Sequence, residues 1–161
     1  MLTISSRIKS YIAGFLDGDG CIMFQLIRRK DYVYGFQIRA SIVFYQNSKN
    51  KKQLIWLKDV FQAGYLRDRP DNMSEYTIVG IEPVMKILKL LKPYVRLKAQ
   101  HIILAGKIHK LLSINNNLNN LVKAAKLVDG FANLNYSKKR TNTSNTLIEY
   151  LRQHKLCPCN D

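Results

Sequence analysis

The apolar pattern predicts an α+β fold built on a four-stranded antiparallel sheet. Three observations carry it: two pairs of alternating segments that read as hairpins, a helical segment before each pair, and a run of amphipathic helices after the second.

From Ser6 to Asp17, Ile8, Tyr11, Ile12 and Phe15 recur at helical spacing behind serines able to cap, and Gly18 and Gly20 are expected to stop the helix. Cys21 to Arg28 alternates, with Ile22, Phe24 and Leu26 on one face and Met23, Gln25 and Ile27 on the other. Arg29, Lys30 and Asp31 read as a polar turn. Tyr32 to Tyr45 then sets Tyr34, Phe36, Ile38, Ala40, Ile42 and Phe44 against Gln37, Arg39 and Ser41, so the expected hairpin is long and has one polar, basic face.

After the basic segment Gln46 to Gln53, Leu54, Leu57, Val60 and Phe61 define an amphipathic helix. The second hairpin pairs Tyr65 to Arg69 with Glu75 to Ile81 around a turn at Pro70, Asp71 and Asn72. Glu82 and Pro83 open a helix carrying Val84, Ile87, Leu88 and Leu91, and Pro93 closes it. A longer helix is expected from Lys98 to Leu112, a loop over the asparagine-rich Ser113 to Asn120, and a helix marked by Leu121, Val122, Ala125, Val128 and Phe131. Ser137 to Ser144 is polar, and a last helix runs from Asn145 to His154.

A chain of 161 residues with 47% hydrophobic content supports one compact domain, expected over residues 1–161. Its 26 Lys and Arg against 11 Asp and Glu leave a net charge of +15, spread along the chain, which points to a polyanionic partner. No polybasic block adjoins an apolar anchor and no stretch is long enough to span a bilayer, so no membrane partner is expected. Three cysteines, Cys21, Cys157 and Cys159, imply no disulfide framework and fit a reducing compartment. Cys157, Cys159 and His154 fall short of a four-ligand zinc site and read as a loose tail.

The segment Y-I-A-G-F-L-D-G-D-G-C-I, Tyr11 to Ile22, places Asp17 and Asp19 at the C-terminal end of an apolar helix, where the macrodipole disfavours negative charge. A compensating cation is expected there, because carboxylates and the last helix carbonyls converge as hard oxygen donors. Ala13, Gly14 and Gly18 leave one helix face nearly bare, suited to packing against a second copy.

This motif resembles the signature of the LAGLIDADG homing endonucleases. Phe44-Tyr45-Gln46, Gly64 to Arg69, Pro93 to Lys98 and Leu134 to Lys138 are similar, in order and spacing, to segments of the single-motif, homodimeric branch encoded by group I introns. The resemblance implies an αββαββα core with a DNA-binding sheet and C-terminal helices. It also implies metal-dependent cleavage of both strands of a long, partly palindromic DNA site, and an organellar source, chloroplast or mitochondrion. It assigns metal binding to Asp19 and the Gly18 carbonyl, with Mg2+ or Mn2+ as cofactor and no other small molecule. Gln46 and Lys98 match polar residues around the metal, and Asp17 a more structural acid at the dimer interface with Ala13 and Gly14. Where close relatives carry a basic residue four positions after the glutamine, this chain has Asn50 between Lys49 and Lys51, so either lysine is open for that place.

A two-stranded ribbon fits the major groove. On the second hairpin Arg67 and Arg69 share one face, with Glu75 and Thr77 expected across from them; on the first, Gln25, Arg29, Tyr32, Gln37 and Arg39 are the equivalent residues. Lys138, Lys139, Arg140 and Thr143 are expected on backbone phosphates. Two other functions fit the same scaffold: an intron maturase acting on RNA, and a non-catalytic nucleic-acid-binding protein.

Overall fold

In the computed structural model, residues 4–115, 117–137 and 139–156 are described. The elements follow in the order α1 (Ser6–Asp19), β1 (Gly20–Arg28), β2 (Phe36–Asn47), a 3-10 turn (Ser48–Asn50), α2 (Lys51–Phe61), β3 (Tyr65–Asp68), β4 (Met73–Val79), α3 (Ile81–Leu91), α4 (Ala99–Ile114), α5 (Leu118–Leu134) and α6 (Ser144–Gln153). The four strands form one sheet in the order β1-β2-β4-β3. The chain divides into two compact units, Met1–Ile22 with Ala40–Ile102, and Met23–Arg39 with Ile103–Asp161.

In the first unit, the Ser5 side chain caps α1 by accepting from the Ile8 amide. The helix does not stop at Gly18. It continues through Asp19, and the Gly20 amide returns to the Leu16 carbonyl. A Cβ on Gly20 would lie 2.8 Å from the Leu16 carbonyl oxygen, so the passage from helix directly into β1 needs a glycine. Strands β2 and β4 pair antiparallel from Ser41 opposite Val79 to Asn47 opposite Met73, and β3 pairs β4 from Tyr65 opposite Thr77 to Asp68 opposite Ser74. Behind them Ile12, Leu16, Leu54, Leu57, Val84, Leu88 and Leu91 are fully buried. Phe44 stacks on Tyr76 at 6.1 Å and meets Phe15 edge-on at 5.5 Å, while the Tyr76 hydroxyl donates to the Ala63 carbonyl.

In the second unit, Phe24 stacks on Phe131 at 5.0 Å, and Ala105, Ile108, Ala124, Ala125, Val128 and Leu147 are fully buried. Helix α6 is fixed at its start, where Thr143 and Thr146 form a capping box and Asp129 accepts from the Ser144 amide and hydroxyl.

Three boundaries differ from expectation. The strand expected from Tyr32 begins only at Phe36, because residues 29–35 close on themselves through Arg29 N to Gly35 O and Gly35 N to Tyr32 O, both 2.9 Å. The loop expected over Ser113 to Asn120 is helical at both ends, since α4 runs on to Ile114 and α5 already begins at Leu118, capped by Asn117. In the second hairpin, expected as Tyr65 to Arg69 and Glu75 to Ile81, β3 ends one residue early at Asp68, and β4 is displaced to begin at Met73 and end at Val79.

Candidate active site

The end of α1 is organised by Asp17. Its carboxylate accepts from three successive backbone amides, Arg96 at 2.8 Å, Leu97 at 3.2 Å and Lys98 at 3.1 Å, at the entry to α4. Lys98 answers by donating its ammonium to the Asp17 carbonyl at 2.7 Å. Asp17 therefore acts as an anion for otherwise unpaired amides, and one of the helix's terminal carbonyls is taken by a lysine. Asp19, the last residue of α1, remains an exposed carboxylate. Gln46, near the end of β2, is half-buried and turns its amide oxygen onto the Asn47 amide at 2.9 Å.

Cys21, absent from the expected site, lies near Lys98. Burial raises its thiol pKa and Lys98 opposes the shift, so it stays a neutral thiol. Its position two residues after Asp19 was the available signal.

Lys51 is committed elsewhere: it pairs with Asp68 at 2.6 Å. Asp68 also accepts from the Ser74 hydroxyl at 2.7 Å, and Ser74 bonds to Ser48 at 2.8 Å. Lys51, then Ser74, hold the Asp68 carboxyl below the usual range. This network escaped sequence reasoning, although the alternation that sets Arg67 and Arg69 on one face sets Asp68 on the other. Of the two lysines flanking Asn50, Lys49 is the exposed one.

On the second hairpin Arg67 stands opposite Glu75, with an ion pair at 3.5 Å, and Arg69 pairs with Asp71 at 2.8 Å in the turn. Thr77 departs from expectation. It stands opposite Tyr65 and is only 7% exposed, so it offers almost no surface to a ligand. Ser41 and Val43, on the same face of β2 as Arg39, are likewise covered at 4%. On the first hairpin Gln25, Arg29, Tyr32 and Arg39 are exposed and Gln37 is partly so. Arg29 grips Asp31 with two nitrogens at 2.9 and 2.8 Å and lies over the Tyr32 ring, holding Asp31 at a pKa of about 2.

The expected phosphate contacts divide. Lys139 is exposed, whereas Lys138 lies outside the described residues. Arg140 turns inward, donating to the carbonyls of Val128 at 3.0 Å and Phe24 at 3.3 Å, and burial lowers its pKa against the opposing charge of Asp129. Thr143 is occupied as the cap of α6. Both are corrections: backbone carbonyls of Val128 and Phe24 and the first turn of α6 claim these side chains.

Ala13 is a third correction, because its methyl is fully buried inside its own chain. Gly14 and Gly18 are exposed, and a Cβ on either would meet nothing within 4 Å.

Residues 12–105 match the family model described as LAGLIDADG endonuclease. The DNA endonuclease I-CvuI of Chlorella vulgaris is 33% identical over 89% of both chains, and I-CreI of Chlamydomonas reinhardtii is 33% identical over 85% of this chain and 84% of that one. Solved structures of I-CvuI, one with its own target and calcium and one with the I-CreI target and magnesium, superpose with TM-scores of 0.87 at 32% identity, covering 93% of this chain and 96% of theirs. The archaeal I-Vdi141I has the same fold at 18% identity, TM-score 0.79, over 92% of this chain and 97% of that one. With its motif helix, its αββαββα order and these relatives, the chain belongs to the LAGLIDADG endonuclease family.

Proposed function

We propose that this protein is a site-specific homing endonuclease that hydrolyses phosphodiester bonds in both strands of duplex DNA, acting as a homodimer with divalent metal ions. The observation that carries the catalytic reading is the division of labour at the end of α1: Asp17 is consumed by three amides, and Asp19 is left as an exposed carboxylate two residues beyond the carbonyl that anchors the Lys98 ammonium.

The donor set suits a hard cation, with Asp19 and the Gly18 carbonyl as the protein's oxygens. Among the described residues no three His, Cys, Asp or Glu converge, so one chain supplies only part of a shell of six oxygens, and substrate phosphate and a second chain supply more. A bound magnesium or manganese ion supplies positive charge at the scissile phosphate and a more acidic water. Lys98, held on the Asp17 carbonyl, places a cation beside the phosphate's developing charge, and Gln46 offers an amide to orient water. Lys49 is the exposed cation available in the segment after Gln46.

A homodimer follows from chemistry on two strands with one acidic helix end per chain. Gly14 and Gly18 allow the close backbone approach such a pair of helices needs. Arg67, Arg69 and Glu75 on one hairpin, and Gln25, Arg29, Tyr32, Gln37 and Arg39 on the other, are assigned to bases, and Lys139 to phosphate. The two units work as one functional domain, and an organellar intron is the source that the family and the algal relatives support.

The test is incubation of the protein with a plasmid carrying the uninterrupted version of the gene that hosts this reading frame, with magnesium, calcium or chelator. Linearisation in magnesium alone is expected. Binding without cutting under every metal condition contradicts the proposal.

A further inference from the structure

The loop at the tip of the first hairpin, residues 29–35, is short of internal support for a segment that carries Arg29 and Tyr32. Its own hydrogen bonds are three backbone links among Arg29, Tyr32 and Gly35, and its Arg29–Asp31 pair is exposed. Exposed pairs of this kind contribute little to order. Val33 is 80% exposed.

What stands against the loop is Tyr150 of α6. Gly35, with φ +70, sits so close to the Tyr150 ring that an added Cβ would lie 2.5 Å from two of its atoms. Phe36 meets the same ring edge-on at 5.4 Å, and the Arg28 guanidinium lies over both rings, 5.4 Å from Tyr150 and 5.7 Å from Phe36. His154, one turn on, stacks on the Tyr150 ring at 4.0 Å and bonds the Tyr150 carbonyl at 2.8 Å. The ring is thus packed by Phe36, Arg28 and His154, and α6 is anchored independently by Leu147, Leu151 and the Asp129–Ser144 bonds.

We infer that Tyr150 is a specificity-determining positioning residue: through Gly35 and Arg28 it sets the pose of the hairpin tip, and so the base preference of Arg29 and Tyr32. This rests on the proposed DNA-reading function. The ring limits how the loop can approach, since the Gly35 backbone already stands at contact distance from the phenol end of Tyr150 and cannot move closer. Base readout demands that constraint, because hydrogen bonds to base edges fail over displacements of about 1 Å.

The experiment measures binding in calcium to a duplex library substituted at each position of the selected target. The tip's own positions are defined by Arg29→Ala and Tyr32→Ala, and those of the other hairpin by Arg67→Ala. Tyr150→Ala is expected to lower discrimination about fivefold to tenfold at the tip's positions while leaving the Arg67 positions unchanged. Tyr150→Phe, which keeps the ring, should restore the wild-type profile. Gly35→Ala, which pushes the loop off the ring, should reproduce the Tyr150→Ala signature with α6 intact. If Tyr150→Ala does not fold, Tyr150→Leu is read in its place. A loss spread evenly over all positions, or unchanged tip preferences in both the Tyr150 and Gly35 variants, overturns the inference. Wild-type protein that selects no duplex sequence overturns the underlying function before any variant is compared.

Discussion

The hairpin of β3 and β4 is held from behind by charge and hydroxyls, whereas the tip of the hairpin of β1 and β2 is held by rings. In the first case Lys51, Asp68, Ser74 and Ser48 form a chain of short polar contacts. In the second, Gly35, Phe36 and Arg28 gather on Tyr150. The difference follows turn length. A short turn at residues 69–72 leaves β3 and β4 in register to their ends, so polar groups at fixed spacing can meet. A seven-residue loop has no such register, and a broad apolar surface tolerates its irregular backbone.

The largest effect expected within this comparison is at Gly64, where β3 begins. Its φ is +77 and an added Cβ collides with the Thr77 carbonyl oxygen, which the sheet does not let move. Gly64→Ala should therefore cost at least about 1 to 3 kcal/mol of stability by thermal or denaturant unfolding. Gly35→Ala should cost less, because it meets a side chain and not backbone, and the irregular loop that carries it can move off the ring. Equal losses would mean that the two hairpins are equally rigid.

Next in size are the residues proposed to read bases. Arg67→Ala or Arg69→Ala should each cost about 1 to 3 kcal/mol in binding and relax preference at particular base pairs. Lys139→Ala should weaken all sequences alike and reduce the salt slope by about 1. Arg140→Ala is expected to behave differently from both, lowering thermal stability more than affinity, since its guanidinium serves the Val128 and Phe24 carbonyls. A pure affinity loss in Arg140→Ala would return that residue to the phosphate backbone.

The smallest effect is a pH dependence. Asp68 and Asp31 both have folded pKa values lowered by basic partners, so their contributions are present above the ordinary carboxylate range and lost as pH falls through each lowered value, about 2 for Asp31. Amide exchange should show acid loosening β3 and β4 in the wild type but not further in Asp68→Asn, with the Tyr150 contact unaffected. Loss of protection at Gly35 in parallel would show that the tip also depends on charge.

Much of the fold was legible because strand alternation and helical spacing are local: Ile22, Phe24, Leu26, Ile38, Ile42 and Phe44 are all buried as their spacing requires. The tip loop was not, since Tyr32, Val33 and Tyr34 have strand-forming side chains and only the closure onto Gly35 removes them from the sheet. Asp19, Asp17 and Lys98 could be singled out from the motif and the resemblance. That Asp17 spends its charge on amides of Arg96, Leu97 and Lys98 could not, because those amides are about eighty residues away. Arg140 and Thr143 misled for the same reason: a basic or hydroxyl residue in a polar stretch reads as a phosphate ligand until the distant carbonyl or helix end that claims it is known. Ala13 shows the converse, a small residue that reads as bare surface but fills its own core.

The proposed homodimer has its own check, because the space at Gly14 is open. Gly14→Leu should leave the chain folded, shift sedimentation to monomer and abolish double-strand cutting. A fully active monomer would contradict two-fold pairing of α1.

The most direct measurement is a paired assay of Asp19→Asn beside wild type, with plasmid cleavage in magnesium and duplex binding in calcium. Asparagine keeps the size and hydrogen bonding of the side chain and removes the charge that would hold the cation and that repels phosphate in its absence. The account predicts loss of cutting with affinity equal to or tighter than wild type; substantial cutting by Asp19→Asn at the same magnesium concentration would contradict it.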